Sequence, residues 1–385
     1  MTTPATANAD TPAMPATTHR LDILTGLRWW AALWVFVYHL QALVNIPAPW
    51  VFPIGYGHFG VTFFFVLSGF VLTWSWNRRV KVSTFYVRRF ARIWPAHLVA
   101  LLLAVPVFYS LAPSPQQSWV KEFDLGVLSL SVPVVQGWSR QAEVLFSGNP
   151  AAWTLTCEFF FYAIHPLLMR ALSRWRVVGA LTILVSIWVA SVLYRILVQH
   201  EPSAWWSTQM PLPIVHAPEF IIGMSIAWAL RCGWQPRLTL WPSVTVFGTG
   251  LLALVALARR PEAPGASTLS IFTGEWMAML CAVVITGAAV SSLSGVRSWL
   301  ASPLLVRLGA WSFAFYLVHA TVIYAVRSVA GVTSGLPGAL IAFGVFWVAL
   351  GASALLYRLV EHPAEQRIRS WKDARDRATA HVDVA

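Results

Sequence analysis

The chain has 385 residues, of which 57% are hydrophobic and only 11% charged, and its net charge is +12. A soluble domain carries about 25% charged residues, so this composition excludes one and points to an all-α, polytopic membrane helix bundle. The basic residues lie in short stretches between apolar runs, as membrane topology requires, which argues against a nucleic-acid-binding surface.

Residues 1–19 are rich in Thr, Ala and Pro, with Asp10 their only formal charge. They lack the basic start and apolar middle of a signal peptide and are expected to form a disordered cytoplasmic tail. About ten spans are then expected, at 27–45, 57–76, 93–112, 151–170, 177–198, 214–230, 238–258, 271–292, 303–327 and 336–357. With both termini in the cytoplasm, the clusters Arg78 to Arg92, Arg170 to Arg176, Arg231 to Arg237 and Arg297 all fall inside. So does the basic tail after the last span, while Arg259 and Arg260 are the main outer exception. The layout is therefore a cytoplasmic tail at 1–19, a transmembrane domain at 20–360 and a basic cytoplasmic tail at 361–385. That last tail is read as an amphipathic segment at the anionic inner leaflet of the cell's plasma membrane.

The first span, Leu27 to Asn45, carries Arg28 at one end and His39 well inside. At about 100° per residue the eleven-residue step is three turns plus about 20°, so both lie on one face, roughly 16 Å apart. An ionisable group at such depth is costly and marks either function or a satisfied bundle partner. In the second span, Ser68-Gly69 forms a small notch in a run of Phe residues, suited to close helix packing or to the passage of a narrow ligand. Next come Arg88, Arg89 and Arg92. The last two form an i,i+3 pair at the expected helix start, where two guanidinium forks and free backbone N–H groups suit a phosphate. The same residues would also serve as plain topology signals.

The segment Leu125 to Gln136 is apolar but too short to span and is interrupted by Pro133. It is expected to be a short re-entrant or interfacial helix inside an outer stretch, 113–150. The fourth span opens with Trp153-Thr-Leu-Thr-Cys157-Glu158. Glu158 comes to a depth near that of His39, where a carboxylate facing an imidazole could fix its tautomer. Cys157 points about 100° away from that face. In the ninth span, Ser312, Tyr316 and His319 share one stripe through spacings of four and three. Neither Cys157, Cys232 and Cys281 nor the histidines show metal-ligand spacing, so no metal is expected.

Together these residues resemble the integral-membrane acyltransferase-3 family. Leu21-Asp22 through Arg28 and Tyr38-His39 are similar to its first-span signature. Phe64 to Phe70 resemble its second-span motif, Arg89-Phe-Ala-Arg92-Ile-Trp-Pro95 its Arg-x-x-Arg motif, and Trp153 to Glu158 its Trp-Ser-Leu-x-x-Glu motif, with Thr154 in place of Ser. Ser312-x-x-x-Tyr316-Leu-x-His319 resembles its late-span pattern. The resemblance implies transfer of an acyl group, acetyl or short-chain, from acyl-CoA to a hydroxyl of a sugar or glycan. Short members without an extra esterase-like domain include enzymes that acylate macrolides, so a macrolide-type acceptor fits as well.

The resemblance also implies His39 as the catalytic residue, and the matched depth of Glu158 makes that carboxylate its expected partner. Acyl-CoA would be held by Arg88, Arg89 and Arg92 at the cytoplasmic face. Arg28, Ser68, Tyr316 and His319 would lie along the path of its slender pantetheine arm towards His39. His39 would act as general base or take the acyl group itself. The alternative from another class is a proton-coupled secondary transporter using the His and Glu as a relay. The expected partners are acyl-CoA, a hydroxyl-bearing acceptor and the bilayer, with no nucleic acid.

Overall fold

A computed structural model describes residues 21–263 and 265–382; the expected tail at 1–19 lies outside the described residues. The long helices are α1 (Asp22–Leu40), α2 (Gly60–Trp74), α3 (Val82–Phe108), α4 (Trp153–Leu172), α5 (Val177–His200) and α6 (Ala217–Arg231). They are followed by α7 (Leu240–Ala258), α8 (Thr273–Leu293), α9 (Pro303–Ala330), α10 (Gly335–Leu356) and α11 (His362–Val382). Among the described residues nine helices are long and apolar enough to cross a membrane. The tenth helix of spanning length, α4, is 20 residues long and carries Glu158, His165 and Arg170. Large apolar side chains such as Val178, Leu252, Leu340 and Trp347 are exposed on the outer faces. Hydrocarbon is the solvent such surfaces require.

The centre of the bundle is α6, buried without interruption from Ile222 to Leu230. It packs on α2 at backbone contact: a Cβ on Gly69 would lie 1.9 Å from Phe220 O, and one on Gly223 1.8 Å from Val66 O. Gly69 therefore answers to close packing, whereas the adjacent Ser68 faces a cavity. The pairing of α1 with α9 is equally close, because a Cβ on Gly309 would meet Thr25 O at 1.9 Å. Trp29 and Phe36 pack against Phe315 as tilted rings, with centroids 5.1 and 5.3 Å away. This pairing sets the level at which His39 meets His319.

Three elements differ from the sequence-based expectation. Helix α1 starts five residues earlier than 27 and ends at Leu40, so His39 lies in its last turn and not well inside. An acidic Asp22 in the first turn suits the helix N-terminus. Helix α3 starts at Val82, eleven residues before the expected 93. Arg88, Arg89 and Arg92 are thus in mid-helix, where their backbone N–H groups are already used. The charged stretch stays helical because carboxylates of α11 meet it. The expected short helix near Leu125 is present as a single turn, Leu125–Ser129, capped by Asp124. After it the chain turns through Pro133 and Val134, whose φ is +62°.

Helix α10 does not end in a free tail. It runs through a π turn, Tyr357–Glu361, directly into α11. Asp373 of α11 pairs with Arg88 at 2.9 Å, and Asp376 accepts from Thr84, which docks α11 along the first half of α3. Asp376 also accepts from Lys372, and that contact together with Thr84 holds its carboxyl below the usual range.

Candidate active site

Among the described residues, two cavities in the bundle have walls rich in polar side chains. The larger, of about 930 Å³, is lined by His39 and His58 and by many aromatic side chains, including Tyr38, Trp119, Trp153 and Trp188. At its wall His39 Nδ1 is 2.9 Å from Val35 O, and His319 Nδ1 is 2.6 Å from Tyr316 O. Carbonyl oxygens only accept, so both Nδ1 atoms carry the proton. His319 Nε2 then presents a lone pair 3.3 Å from His39 Nδ1, which donates to it as well. The ring nitrogen of His39 left without a partner among the described residues is Nε2, an acceptor. His319 is 1% exposed and backs His39 from behind.

The same cavity also holds an imidazole–carboxylate pair. His216 Nδ1 donates to Glu219 Oε2 at 3.1 Å, and Thr62 donates to Glu219 Oε1 at 3.2 Å. Lys121 lies on the loop side of this cavity and donates to Phe146 O. Burial, partly offset by Glu143, pulls its ammonium down to about 8.

The smaller cavity, of about 330 Å³, is lined by Arg28, Arg89, Arg92 and Arg369 against the carboxylates Glu158 and Glu365. Glu158 Oε1 accepts from Ser68 Oγ and from Tyr162 OH, both at 2.7 Å. Arg92 is engaged by Glu361 at 3.3 Å and by Glu365 at 3.0 Å. Arg28 and Arg89 carry no ion pair among the described residues, and Arg89 lies 5.7 Å over the Phe85 ring. This cavity has the donors of an anion site, with two guanidinium forks uncommitted.

Tyr316 and Val61 line both cavities, so the two meet there. The Tyr316 hydroxyl is 3.0 Å from Thr154 Oγ1 and donates to Ala151 O at 3.1 Å. These bonds hold the ring between the arginine side and the histidine side.

Of the residues singled out by sequence, Arg28, Ser68, Arg89, Arg92, Glu158 and Tyr316 converge on the smaller cavity. Glu158 does not meet His39; its partners are Ser68 and Tyr162, and the two residues line different cavities. Helical phase alone could not reveal this, because depth was matched without direction around the bundle. Arg88 turns away from the cavity to Asp373. Sequence reasoning missed Tyr162, Arg369 and Glu365 on the arginine side. Tyr162 was detectable as the i+4 neighbour of Glu158. The 3-residue spacing of His216 and Glu219 at a helix start was likewise a readable signal.

The family model described as an acyltransferase domain matches residues 21–358. The chain is 34% identical over 380 residues to the acyltransferase MdmB of Streptomyces mycarofaciens, covering 91% of this chain and 93% of that protein. It is 26% identical to nodulation protein 10 of Rhizobium leguminosarum bv. viciae, over 88% of this chain and 91% of that one. It is 28% identical to the peptidoglycan O-acetyltransferase OatA of Listeria monocytogenes, over 44% of this chain and 29% of the relative. No solved structure matches the chain.

Proposed function

We propose that this chain, which belongs to the acyltransferase-3 family, is a plasma-membrane O-acyltransferase that moves an acetyl or short-chain acyl group from acyl-CoA to a hydroxyl. The acceptor is a sugar, a glycan or a macrolide-type metabolite. The observation that supports this most is the meeting of two chemically different cavities at Tyr316. An anionic, slender donor suits the arginine-lined side. A bulky, partly apolar acceptor suits the aromatic chamber of about 930 Å³. The arginine distribution supports an orientation with the donor side and both termini in the cytoplasm.

Separate cavities for donor and acceptor favour direct transfer within a ternary complex. The acceptor hydroxyl donates to His39 Nε2. As that nitrogen takes the proton, the hydroxyl oxygen attacks the thioester carbonyl, whose acyl arm has passed Tyr316. The C–S bond then breaks, and the CoA thiolate takes the proton back from His39. During the step, the imidazolium is held by Val35 O and by the lone pair of His319 Nε2. The partner that orients the base is thus an imidazole and not a carboxylate. Glu158 instead keeps the arginine side organised through Ser68 and Tyr162.

The test is to incubate the purified protein with acyl-CoA and an acceptor library, and to follow both by mass spectrometry. Consumption of acyl-CoA matched by an acceptor gaining the acyl mass is the expected result. Proton-coupled movement of a solute with no acyl-CoA consumed would replace this reading with the transporter one.

A further inference from the structure

The helix α11 lies beyond the family-matched residues 21–358, yet it forms part of the arginine-lined cavity. Glu365 and Arg369, one turn apart on α11, both line that cavity. The Glu365 carboxylate bridges two guanidinium groups from different helices: Oε2 is 3.0 Å from Arg92 Nη1 and Oε1 is 3.2 Å from Arg369 Nη2. A planar anion held between two arginine forks is the arrangement in which a phosphate would be bound. Arg28 and Arg89, which line the same cavity, carry no ion pair among the described residues.

We propose that α11 is a wall of the phosphate site, in which Arg369 is a direct ligand of a phosphorylated donor and Glu365 is the internal anion that the donor's phosphate displaces. This rests on the reading of the arginine side as the donor side. The size of the cavity supports it. At about 330 Å³ it is at the small end for a drug-sized ligand, about 300–1,000 Å³. It takes an acyl-pantetheine arm but not a nucleotide with its phosphates. The phosphates therefore stay at the arginine mouth, where Glu365 already occupies two of the forks. When phosphate enters, the ion pairs of Glu365 to Arg92 and Arg369 break and both guanidinium groups pass to the phosphate oxygens. Arg92 retains Glu361 of the π turn as its second partner, 3.3 Å away and fully buried, and Asp373 on Arg88 keeps α11 docked during the exchange.

Calorimetry on the purified full-length protein in nanodiscs tests this, with CoA as one probe and pantetheine, the same arm without phosphates, as the other. Arg369→Gln should weaken CoA about 10- to 100-fold, the effect of losing a charge-assisted hydrogen bond. Glu365→Gln, isosteric but uncharged, should tighten CoA about three- to tenfold by removing the competing anion. Pantetheine binding should change in neither. The proposal stands only if the two variants move CoA affinity in opposite directions; any other pattern overturns it. A thermal melt checks folding, and Arg369→Lys, with charge but no fork, replaces Arg369→Gln if that variant does not fold. Arg89→Gln separates the underlying reading. If it weakens CoA while the α11 variants do not, the donor side stands and the part of α11 falls. If the wild-type protein does not bind CoA, both fall.

Discussion

His319 Nε2 lies 3.3 Å from His39 Nδ1, although 280 residues separate the two in the chain. With each Nδ1 proton directed at a carbonyl or at the neighbouring ring, the pair leaves one lone pair, on His39 Nε2, facing the larger cavity. His39 is then the one base of this pair that can act, and His319 a positioning residue behind it.

His39→Ala should therefore abolish transfer while donor binding persists, since Arg28 and Arg89 line a separate cavity. Loss of a positioned acid–base group costs about 10²–10⁴ in rate. Steady-state turnover and CoA calorimetry on the same preparation check both halves; normal turnover removes His39 from the mechanism.

His319→Leu removes one of the two acceptors for His39 Nδ1–H, leaving Val35 O, and should lower kcat roughly 10- to 100-fold, the effect of one hydrogen bond to a charged ring, about 1.5–3 kcal/mol. The KM for the donor should stay constant. His319→Gln, which keeps an accepting oxygen, should restore part of the rate. Equal losses in both variants would assign His319 to packing alone.

For Glu158→Gln, the geometry predicts a changed donor KM and an unchanged pH profile of kcat, because Glu158 is bonded to Ser68 and Tyr162 and not to His39. A profile that shifts in this variant would place the carboxylate in contact with the base after all.

Arg89 and Arg92 should behave differently although they are three residues apart. Arg89→Gln should weaken CoA about 10- to 100-fold with little change in the melting temperature. Arg92→Met leaves the Glu361 side chain, 0% exposed, as an uncompensated buried charge, which costs about 3–5 kcal/mol. Thermal melts of the two variants distinguish Arg89, which serves the donor alone, from Arg92, which also holds Glu361.

Lys121 gives a pH prediction on the acceptor side. Its folded-state pKa, about 8, is below the ordinary 10.5. Its charge therefore opposes folding at pH values below 8, and the penalty fades as pH rises from 8 towards 10.5. As pH passes 8 the cavity wall loses that positive charge. The KM for an acceptor bearing a fixed sulfonate should rise across that pH, while the KM for a neutral acceptor stays flat. In Lys121→Met the rise should vanish.

Composition and local pattern were enough for the class of the molecule and for six of the residues that line the arginine-side cavity. An apolar run of about 20 residues has few alternatives to a membrane helix. The stripes Arg28–His39 and Ser312–Tyr316–His319 follow from helical phase alone, because phase is a property of one helix. What phase does not contain is which stripe faces which. Gly309 against Thr25 brings α1 to α9 and so makes His319, not Glu158, the neighbour of His39. Gly69 and Gly223 bring α2 and α6 to backbone contact and put α6 at the centre. The limits of α3 and the course of α11 were also decided in three dimensions. A run of arginines reads as a loop until carboxylates 273 and 285 residues later, Glu365 and Asp373, neutralise it, because the cost of burying a charge is set by its partner and not by its place in the sequence.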